Sequence, residues 1–277
     1  MSVITLTSDI GLQDYLVAAT KGQLLQTCPD ARVMDISHRI SPFNLPQAVY
    51  IFKSAFEYYP AGTFHIVLIN LFDKKHDHML IARYKDQYIC TADNGFITMI
   101  AGNQAQEIIR MPLDPALSKT TLNVTAAFAE TISKMCNGAH LSELGEKADD
   151  IIVKNNLQPL TGDDYIEGQI IHIDNFENVI VNITREQFEA QRKNRRFGIM
   201  FRRNETINAI SETYSDVPEG QKVAMFNSAG YLEIAINKGN AAGLFGLQGF
   251  SREQLVQNAT AYQQLAYYQT VRIAFEE

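Results

Sequence analysis

The residue whose type and position most directly suggest chemistry is Asp9, in the N-terminal run ITLTSDIGLQDY. The apolar residues before Asp9 predict a strand, so its carboxylate is expected at the strand's carboxyl end, where open α/β sheets bind their ligands. A carboxylate in that position suits the two vicinal hydroxyls of a ribose, because it can accept a charge-assisted hydrogen bond from each. The alternative is that Asp9 caps the helix that follows, since Asp is among the best N-capping residues.

Three later segments join this run in a recognisable order: VMDISHRISPFNLPQA (33–48), HIDNFENVIVNI (172–183) and FNSAGYLEIAINKGNAA (226–242). Together the four segments resemble the SAM hydroxide adenosyltransferases, relatives of the fluorinase and chlorinase, and the resemblance covers nearly the whole chain. It implies that a small nucleophile displaces methionine from C5′ of S-adenosyl-L-methionine (SAM). Water or hydroxide as that nucleophile would convert SAM, bound as substrate, to adenosine and L-methionine.

The resemblance also implies which residues hold the substrate. Asp9 would contact the ribose hydroxyls, and Asp174 would meet the methionine ammonium. Phe176 and Asn178 would pack on and hydrogen-bond to the ligand, as an adenine needs an apolar face and a few in-plane polar partners. The implied set is completed by Ser228 near the amino-acid end of the ligand, and by Asn240 and Ala241 in the loop whose backbone reads the adenine edge.

Ordinary turn chemistry is an alternative explanation of the same residues. Asp174 and Asn178 lie in D-N-x-x-N between two apolar runs, which is typical of a hairpin turn stabilised by an Asx side chain, and Asn240 is a candidate cap for a short helix. Two positions also depart from the family pattern. Glu177 replaces a Gly and adds bulk and charge beside the pocket, and Ala229 replaces an arginine that would anchor the methionine carboxylate.

The positions that should carry out the reaction are changed as well. In the hydroxide-using relatives, an Asp, an Arg seven residues later and a distant His surround the attacking water. The aligned positions in this chain are Asn70, Asp77 and Asn123. An amide can orient water but has no useful proton affinity near neutral pH, so the two asparagines cannot replace a general base. The triad as the family uses it is therefore absent.

The segment LFDKKHDHML offers a substitute, because it holds two imidazoles and two carboxylates within six residues: Asp73, His76, Asp77 and His78. A histidine there could act as the base, since its ordinary pKa lies closest to neutrality. The same groups could bind a metal or form a solvated polar turn, and no metal is expected, because nothing else in the chain indicates a metal site. An impaired protein that binds SAM or adenosine without turnover, and a different reaction on a related nucleoside, remain alternatives.

Composition limits the class of protein. The net charge of −7 argues against nucleic acid as a partner, and no apolar run approaches the roughly 18 residues that span a membrane. The cysteines are odd in number and far apart, which argues against a disulfide framework: Cys28, Cys90 and Cys136. No leader precedes the first strand, so a cytoplasmic protein is predicted.

The pattern of elements predicts two domains of an α/β protein. Helices and strands alternate over residues 1–155, which predicts a mostly parallel sheet flanked by helices, whereas 163–277 reads as a smaller β-rich domain. His38 and His65 are expected to be packed core histidines, and Asp93-Asn94-Gly95 is expected to form a turn. The resemblance further implies a homotrimer with each nucleoside ligand between neighbouring subunits.

Overall fold

The structure is a computed structural model that describes residues 2–74, 77–202, 205–245 and 269–276. The chain forms two compact units, Met1–Asn156 and Leu157–Glu277. The first unit combines a sheet with helices on both faces, and the second, smaller unit is rich in strands. The predicted α/β class with a β-rich C-terminal domain is confirmed.

The N-terminal unit begins with a strand-helix alternation, as predicted. Its strands are β1 (Val3–Ser8), β2 (Arg32–Ser37), β3 (Phe64–Leu68), β4 (His78–Tyr84), β5 (Gln87–Thr91), β6 (Glu107–Pro112) and β7 (Glu146–Lys147). Its helices are α1 (Leu16–Thr27), α2 (Leu45–Phe56), α3 (Phe96–Ala101) and α4 (Thr121–Cys136).

The sheet runs in the order β2-β1-β3-β5-β4-β6-β7 and is mixed. Strands β2, β1, β3 and β5 are parallel, as expected of crossovers through helices, whereas β4, β6 and β7 add antiparallel pairs. The prediction of a mostly parallel sheet therefore holds for one half. The direction reverses because β4 and β5 form a hairpin whose turn residues, Lys85 and Asp86, have φ angles of 47° and 57°.

Each face of this sheet is covered by two helices. Helices α1 and α4 pack with Ile4, Leu6 and neighbouring strand residues on one face. Helices α2 and α3 cover the other face, where α2 packs a stripe formed by Leu45, Val49 and Phe52. Asn44 caps α2 by accepting from the Gln47 N–H, and Pro46 stands in its first turn.

The described part of the C-terminal unit is an antiparallel sheet with one helix. Its strands are β8 (Leu160–Thr161), β9 (Tyr165–Ile173), β10 (Val179–Thr184), β11 (Arg196–Arg202), β12 (Glu205–Ile207), β13 (Lys222–Phe226), β14 (Tyr231–Ile236) and β15 (Thr270–Glu276), and the helix is α5 (Arg185–Arg192). The strand order is β12-β11-β15-β9-β10-β14-β13, with β8 beside β9. Phe188 of α5 is fully buried among core rings that include Phe197, Phe226 and Phe275.

Helices α3 and α5 and strands β6, β7, β8 and β12 were not predicted. Helix α3 has six residues, too few to show a helical period, and α5 shows a single large apolar residue, Phe188, in REQFEAQR. Strand β15 was predicted over 263–275, of which 263–268 lie outside the described residues. The stretch 147–164, predicted as a linker, is partly structured, since the Ile152 N–H donates to Asp93 Oδ1 at 2.8 Å and β8 pairs with β9.

His65 is a packed histidine, as predicted. It is fully buried on β3, where its Nδ1 lies 2.6 Å from Thr5 Oγ1 and its Nε2 lies 2.8 Å from Gln87 Oε1. Burial lowers the pKa of His65 to about 4, against the smaller raising effect of the Gln87 hydrogen bond. The folded protein therefore holds this ring neutral at pH values where the unfolded chain would protonate it.

We predict that the free energy of unfolding falls as the pH is lowered from about 6.5 to about 4, because only the unfolded state binds a proton at this ring in that window. His65 contributes at most about 1.4 kcal/mol per pH unit. The pKa of His172 is also lowered to about 4 by burial, so part of the slope remains in the variant His65→Gln. Urea unfolding of both proteins at several pH values measures the difference, and equal slopes would contradict the assignment.

Candidate functional site

Several predicted site residues of the N-terminal unit lie at one edge of its sheet. Parallel strands β1, β3 and β5 end at this edge, where they are followed by Asp9, Asn70 and Asp93. Strand β4 is antiparallel to β5 and therefore begins here, with His78. The carboxyl edge of the sheet thus gathers polar groups from distant parts of this unit.

Asp9 joins two loops to the end of β1. Its Oδ2 accepts hydrogen bonds from the Phe43 N–H at 2.9 Å and the Asn70 N–H at 3.0 Å. It does not cap α1, because Asp14 Oδ1 accepts from the Leu16 N–H at that end. Among the described residues no group donates to Asp9 Oδ1, so this oxygen keeps acceptor capacity for hydroxyl groups at the sheet edge.

The loop after β3 is fixed by the turn after β5. Asn70 has φ 45°, a left-handed conformation that Asn tolerates better than most residues. Asn94 is fully buried, donates through Nδ2 to the Ile69 carbonyl at 2.8 Å and accepts from the Phe96 N–H. Gly95 follows with φ 93°. Asp93-Asn94-Gly95 therefore forms the predicted turn and helps to set the position of Asn70.

His38, the second histidine expected to be packed, is buried between β1 and β2. Its Nδ1 lies 2.6 Å from Ser8 Oγ, and its Nε2 lies 3.1 Å from Asp35 Oδ1. Lys21 Nζ lies 2.6 Å from the other Asp35 oxygen. Burial acts to raise the pKa of Asp35, but hydrogen bonds from Lys21 and His38 outweigh it and lower that pKa. The network braces the residue that precedes Asp9.

The loop between β3 and β4 places a histidine–carboxylate pair at the start of β4. His78 Nδ1 lies 2.7 Å from Asp77 Oδ1, and the His78 side chain is 19% exposed. The hydrogen bond from His78 lowers the pKa of the exposed Asp77. Asp73 is exposed, which agrees with the solvated turn that was one of the alternatives. His76 lies outside the described residues. Within the described ranges, no cluster of three or more His, Cys, Asp or Glu side chains is arranged to hold a metal ion.

Asn123 lies in the first turn of α4 and uses its side chain locally. Its N–H donates to the capping Thr120 Oγ1, and its Nδ2 donates to the Ser118 carbonyl at 2.6 Å. It also lines an open groove of about 380 Å³ between α4 and the loop after β6. This amide therefore holds the loop in place.

In the C-terminal unit, Asp174 organises the turn between β9 and β10. Its Oδ1 accepts from the N–H groups of Phe176 and Asn178, at 2.8 and 2.9 Å, and its Oδ2 accepts from Asn178 Nδ2 at 3.1 Å. This is the Asx-stabilised turn that the sequence allowed. Glu177 adopts φ 63°, which suits the Gly of the family pattern, and the Phe176 ring is 75% exposed.

The loop that carries Asn240 and Ala241 lies against this turn. The Ala242 N–H donates to the Glu177 carbonyl at 2.9 Å, and Ala241 is fully buried. Asn240 Oδ1 accepts from the Gly243 N–H at 2.8 Å and so caps the short helix Ala242–Phe245. The structure thus brings together the two predicted adenine-binding segments of the C-terminal unit.

Ser228 lies elsewhere in the same unit. It is exposed in the turn between β13 and β14, where Asn227 Oδ1 accepts from the N–H groups of Ala229 and Tyr231. Strand β14 pairs with β10 so that Tyr231 lies opposite Thr184, at the end of β10 away from the Asp174 turn. Within this unit, Ser228 and Asp174 are therefore at opposite ends of the sheet. The contact of Ser228 with the amino-acid end of the ligand stays a prediction.

Sequence reasoning missed a buried acid near the Asp174 turn. Glu233 on β14 is 3% exposed, and Tyr214 Oη donates to its Oε1 at 2.6 Å. Burial raises the pKa of Glu233, and the Asp174 carboxylate nearby adds to that effect. The signal was present in the sequence, because an acid in the apolar strand YLEIAI is unusual at a core position.

We predict that Asp9→Ala lowers the free energy of unfolding by about 1 to 3 kcal/mol, because two backbone N–H groups lose a charged acceptor. Asp9→Asn should remain closer to the wild type, since its amide oxygen can still accept from both. Urea denaturation of the two variants measures the difference. Asp73→Ala, at an exposed position, is the control and should change stability by less than about 0.5 kcal/mol.

The comparisons with known proteins agree with this architecture. The sequence model of the SAM hydroxide adenosyltransferase N-terminal domain matches residues 4–145, and that of the C-terminal domain matches 168–252. No helix among the described residues has the length and apolarity needed to cross a membrane.

Named relatives and solved structures extend over almost the whole chain. The (R)-S-adenosyl-L-methionine hydrolase of Methanocaldococcus jannaschii is 25% identical, covering 92% of this chain and 96% of its own, and that of Thermus thermophilus is 26% identical, covering 90% and 97%. The fluorinase of Nocardia brasiliensis is 24% identical, covering 89% and 94%. A crystal structure of an uncharacterized conserved protein from Thermotoga maritima shares the fold, with a TM-score of 0.80 over 98% of this chain and 99% of that one at 22% identity. The chain belongs to the SAM hydroxide adenosyltransferase family.

Proposed function

We propose that the protein hydrolyses S-adenosyl-L-methionine. A water oxygen forms a bond to C5′, the bond between C5′ and sulfur breaks with its electron pair on sulfur, and one proton is released. The products are adenosine and L-methionine. The observation that carries the proposal is the Asp9 carboxylate, held at the sheet edge by two backbone N–H groups, in a chain that matches hydrolases of this substrate over about 90% of its length.

Asp9 is the proposed ribose ligand. Because both backbone donors use Oδ2, the carboxylate plane is fixed before substrate arrives, and Oδ1 can accept from the vicinal hydroxyls. Such preorganisation matters here, since the sulfonium is already a good leaving group and the protein must chiefly hold the nucleophile in line. Positioning of that kind contributes up to roughly 7–11 kcal/mol to a displacement.

The Asp77–His78 pair is the proposed source of a base. Asp77 lies within hydrogen-bond distance of His78 Nδ1, the arrangement by which a carboxylate orients a catalytic imidazole. Asn70 and Asn123 occupy the aligned family positions and can orient water but cannot accept its proton. We assign proton removal to His78, with His76 and Asp73 as further groups of the same loop.

The remaining contacts belong to the other parts of the substrate. The adenine is assigned to Phe176, Asn178, Asn240 and Ala241, and the methionine portion to Asp174 of one subunit and Ser228 of another, because the two lie at opposite ends of the sheet within a subunit. The exposed ring of Phe176 can pack against a ligand or a neighbouring subunit. We therefore include in the proposal a homotrimer whose sites lie between subunits. The free thiols of Cys28, Cys90 and Cys136 favour a reducing compartment such as the cytoplasm.

Incubation of the purified protein with SAM in water enriched in ¹⁸O is the direct test. We expect adenosine that carries ¹⁸O at its 5′ oxygen, together with an equal amount of L-methionine, both measured by mass spectrometry. SAM binding without product would replace the proposal with a protein that binds the nucleoside and does not turn it over. Absence of both binding and product would remove the proposal altogether.

Asp9→Asn is the matched variant for the ribose contact, because it keeps the loop hydrogen bonds and loses the charge. Loss of charged hydrogen bonds to the ribose should weaken SAM binding by about tenfold to a hundredfold. Calorimetric titration measures the affinity. Unchanged affinity in a variant that folds normally would show that Asp9 does not contact the ribose.

We predict that His78→Gln lowers kcat by about 10²-fold or more and changes KM little, because a general base acts on the reaction and hardly on substrate binding. Asp77→Asn should give a smaller loss in the same direction, since it weakens the orientation of the imidazole. Steady-state rates of adenosine release measure both. His140→Gln, at an exposed position on the same unit, is the control, and wild-type turnover in His78→Gln would rule His78 out.

A further inference from the structure

The buried acid Glu233 faces the turn that holds the proposed adenine contacts. It lies on β14 directly across from Ile180, two residues after Asn178 along β10. Its carboxyl group accepts a hydrogen bond from Tyr214 Oη at 2.6 Å, and an interaction with the Asn178 side chain acts to lower its pKa against the raising effect of burial. A carboxylate that is 3% exposed needs such donors, because burial without them is costly.

The Asn178 amide therefore stands between two acids. Its Nδ2 donates to Asp174 Oδ2 at 3.1 Å, and the pairing of Ile180 with Glu233 places Glu233 on the same face of the β10–β14 pair, where the Asn178 side chain acts on its pKa. An amide nitrogen carries two hydrogens, so both can be used by these acceptors. Rotation of the amide by half a turn would place its oxygen against carboxylate oxygens, which is unfavourable. The network thus selects one of the two orientations of the amide.

That orientation determines what Asn178 offers to a ligand. With Nδ2 directed to the acids, the group left for an incoming base is the carbonyl Oδ1, an acceptor. The described residues supply no hydrogen bond to this oxygen. An acceptor in the plane of a purine pairs with the amino group at position 6 of adenine. It is repelled by the carbonyl oxygen that hypoxanthine carries at that position.

We propose that Glu233 and Tyr214 are positioning residues that fix the Asn178 amide and thereby select a 6-aminopurine over a 6-oxopurine. The inference rests on the proposed function, in which Asn178 contacts the adenine of the substrate. Sites built around a specific hydrogen bond reject an analogue that cannot form it far more strongly than apolar pockets do. Neither Glu233 nor Tyr214 needs to touch the ligand to have this effect.

Calorimetric titration of the full chain with adenosine and with inosine tests the proposal. The wild type should bind adenosine at least about tenfold more tightly than inosine. In Glu233→Gln the new amide can donate to a rotated Asn178 and only Asp174 still opposes the rotation, so the ratio of the inosine Kd to the adenosine Kd should fall by about threefold or more. Tyr214→Phe should move the ratio in the same direction. Glu219→Gln is the matched control, because Glu219 is an exposed acid paired with Lys238 and should keep the wild-type ratio.

A wild-type ratio in both Glu233→Gln and Tyr214→Phe, with normal folding, would overturn the inference. If the wild type binds neither adenosine nor SAM, the proposed function fails, and the amide can still be observed without ligand. The side-chain NH₂ signals of Asn178 in a ¹⁵N-correlated NMR spectrum should shift in Glu233→Gln and stay in place in Glu219→Gln. Equal spectra for Asn178 in all three proteins would show that Glu233 does not position it.

Discussion

The arrangement at the sheet edge depends on one carboxylate oxygen, Oδ2 of Asp9. It accepts hydrogen bonds from two backbone N–H groups in loops far apart in sequence. Charge-assisted hydrogen bonds of this kind are roughly twice as strong as neutral ones. They satisfy donors in the loops after β2 and β3 that would otherwise be left to solvent, and they fix the orientation of the carboxylate. In the proposed site, Oδ2 therefore stabilises the loops and Oδ1 is assigned to the ribose.

Two neighbouring hydrogen-bond networks stabilise the chain segments around this oxygen. His38 links Ser8 to Asp35, and Asn94 fixes the carbonyl of Ile69. Ser8, His38 and Asn94 are buried, and buried polar groups of this kind are costly unless each finds a partner. Partners are available because the parallel strands β1, β3 and β5 end side by side. A short side chain that follows one strand can therefore reach the backbone that follows the next.

Patterns of residue type predicted the framework well and the side-chain roles only in part. The alternation of β1, α1, β2 and α2 was readable because short apolar runs alternate with longer segments, of which α2 has a clear helical stripe, and the four motifs indicated the family. The geometry of the turn at Asp174 and the cap at Asn240 were allowed as alternatives, and both occur. Patterns could not show that Asp9 bonds to Phe43 and Asn70, because contacts between distant segments follow from sheet order.

Glu233 shows the other limit of the sequence. A single acid within an apolar strand signals a buried polar contact, but its partners, Tyr214 and Asn178, come from different segments and become evident only when β14 pairs with β10. In the same way, the mixed character of the first sheet follows from the Lys85-Asp86 hairpin turn, whose effect on strand direction extends to β6 and β7.

The left-handed backbone at Glu177 has a further consequence. An L-residue with a side chain carries about 1 kcal/mol of strain in this conformation, so the turn keeps the shape that glycine would give it at some energetic expense. In return, an exposed carboxylate stands beside Asp174 and Phe176. In the proposed reaction the sulfonium is cationic and neither product carries that charge. Attraction to this acidic turn therefore weakens as the bond to sulfur breaks, which favours departure of the products.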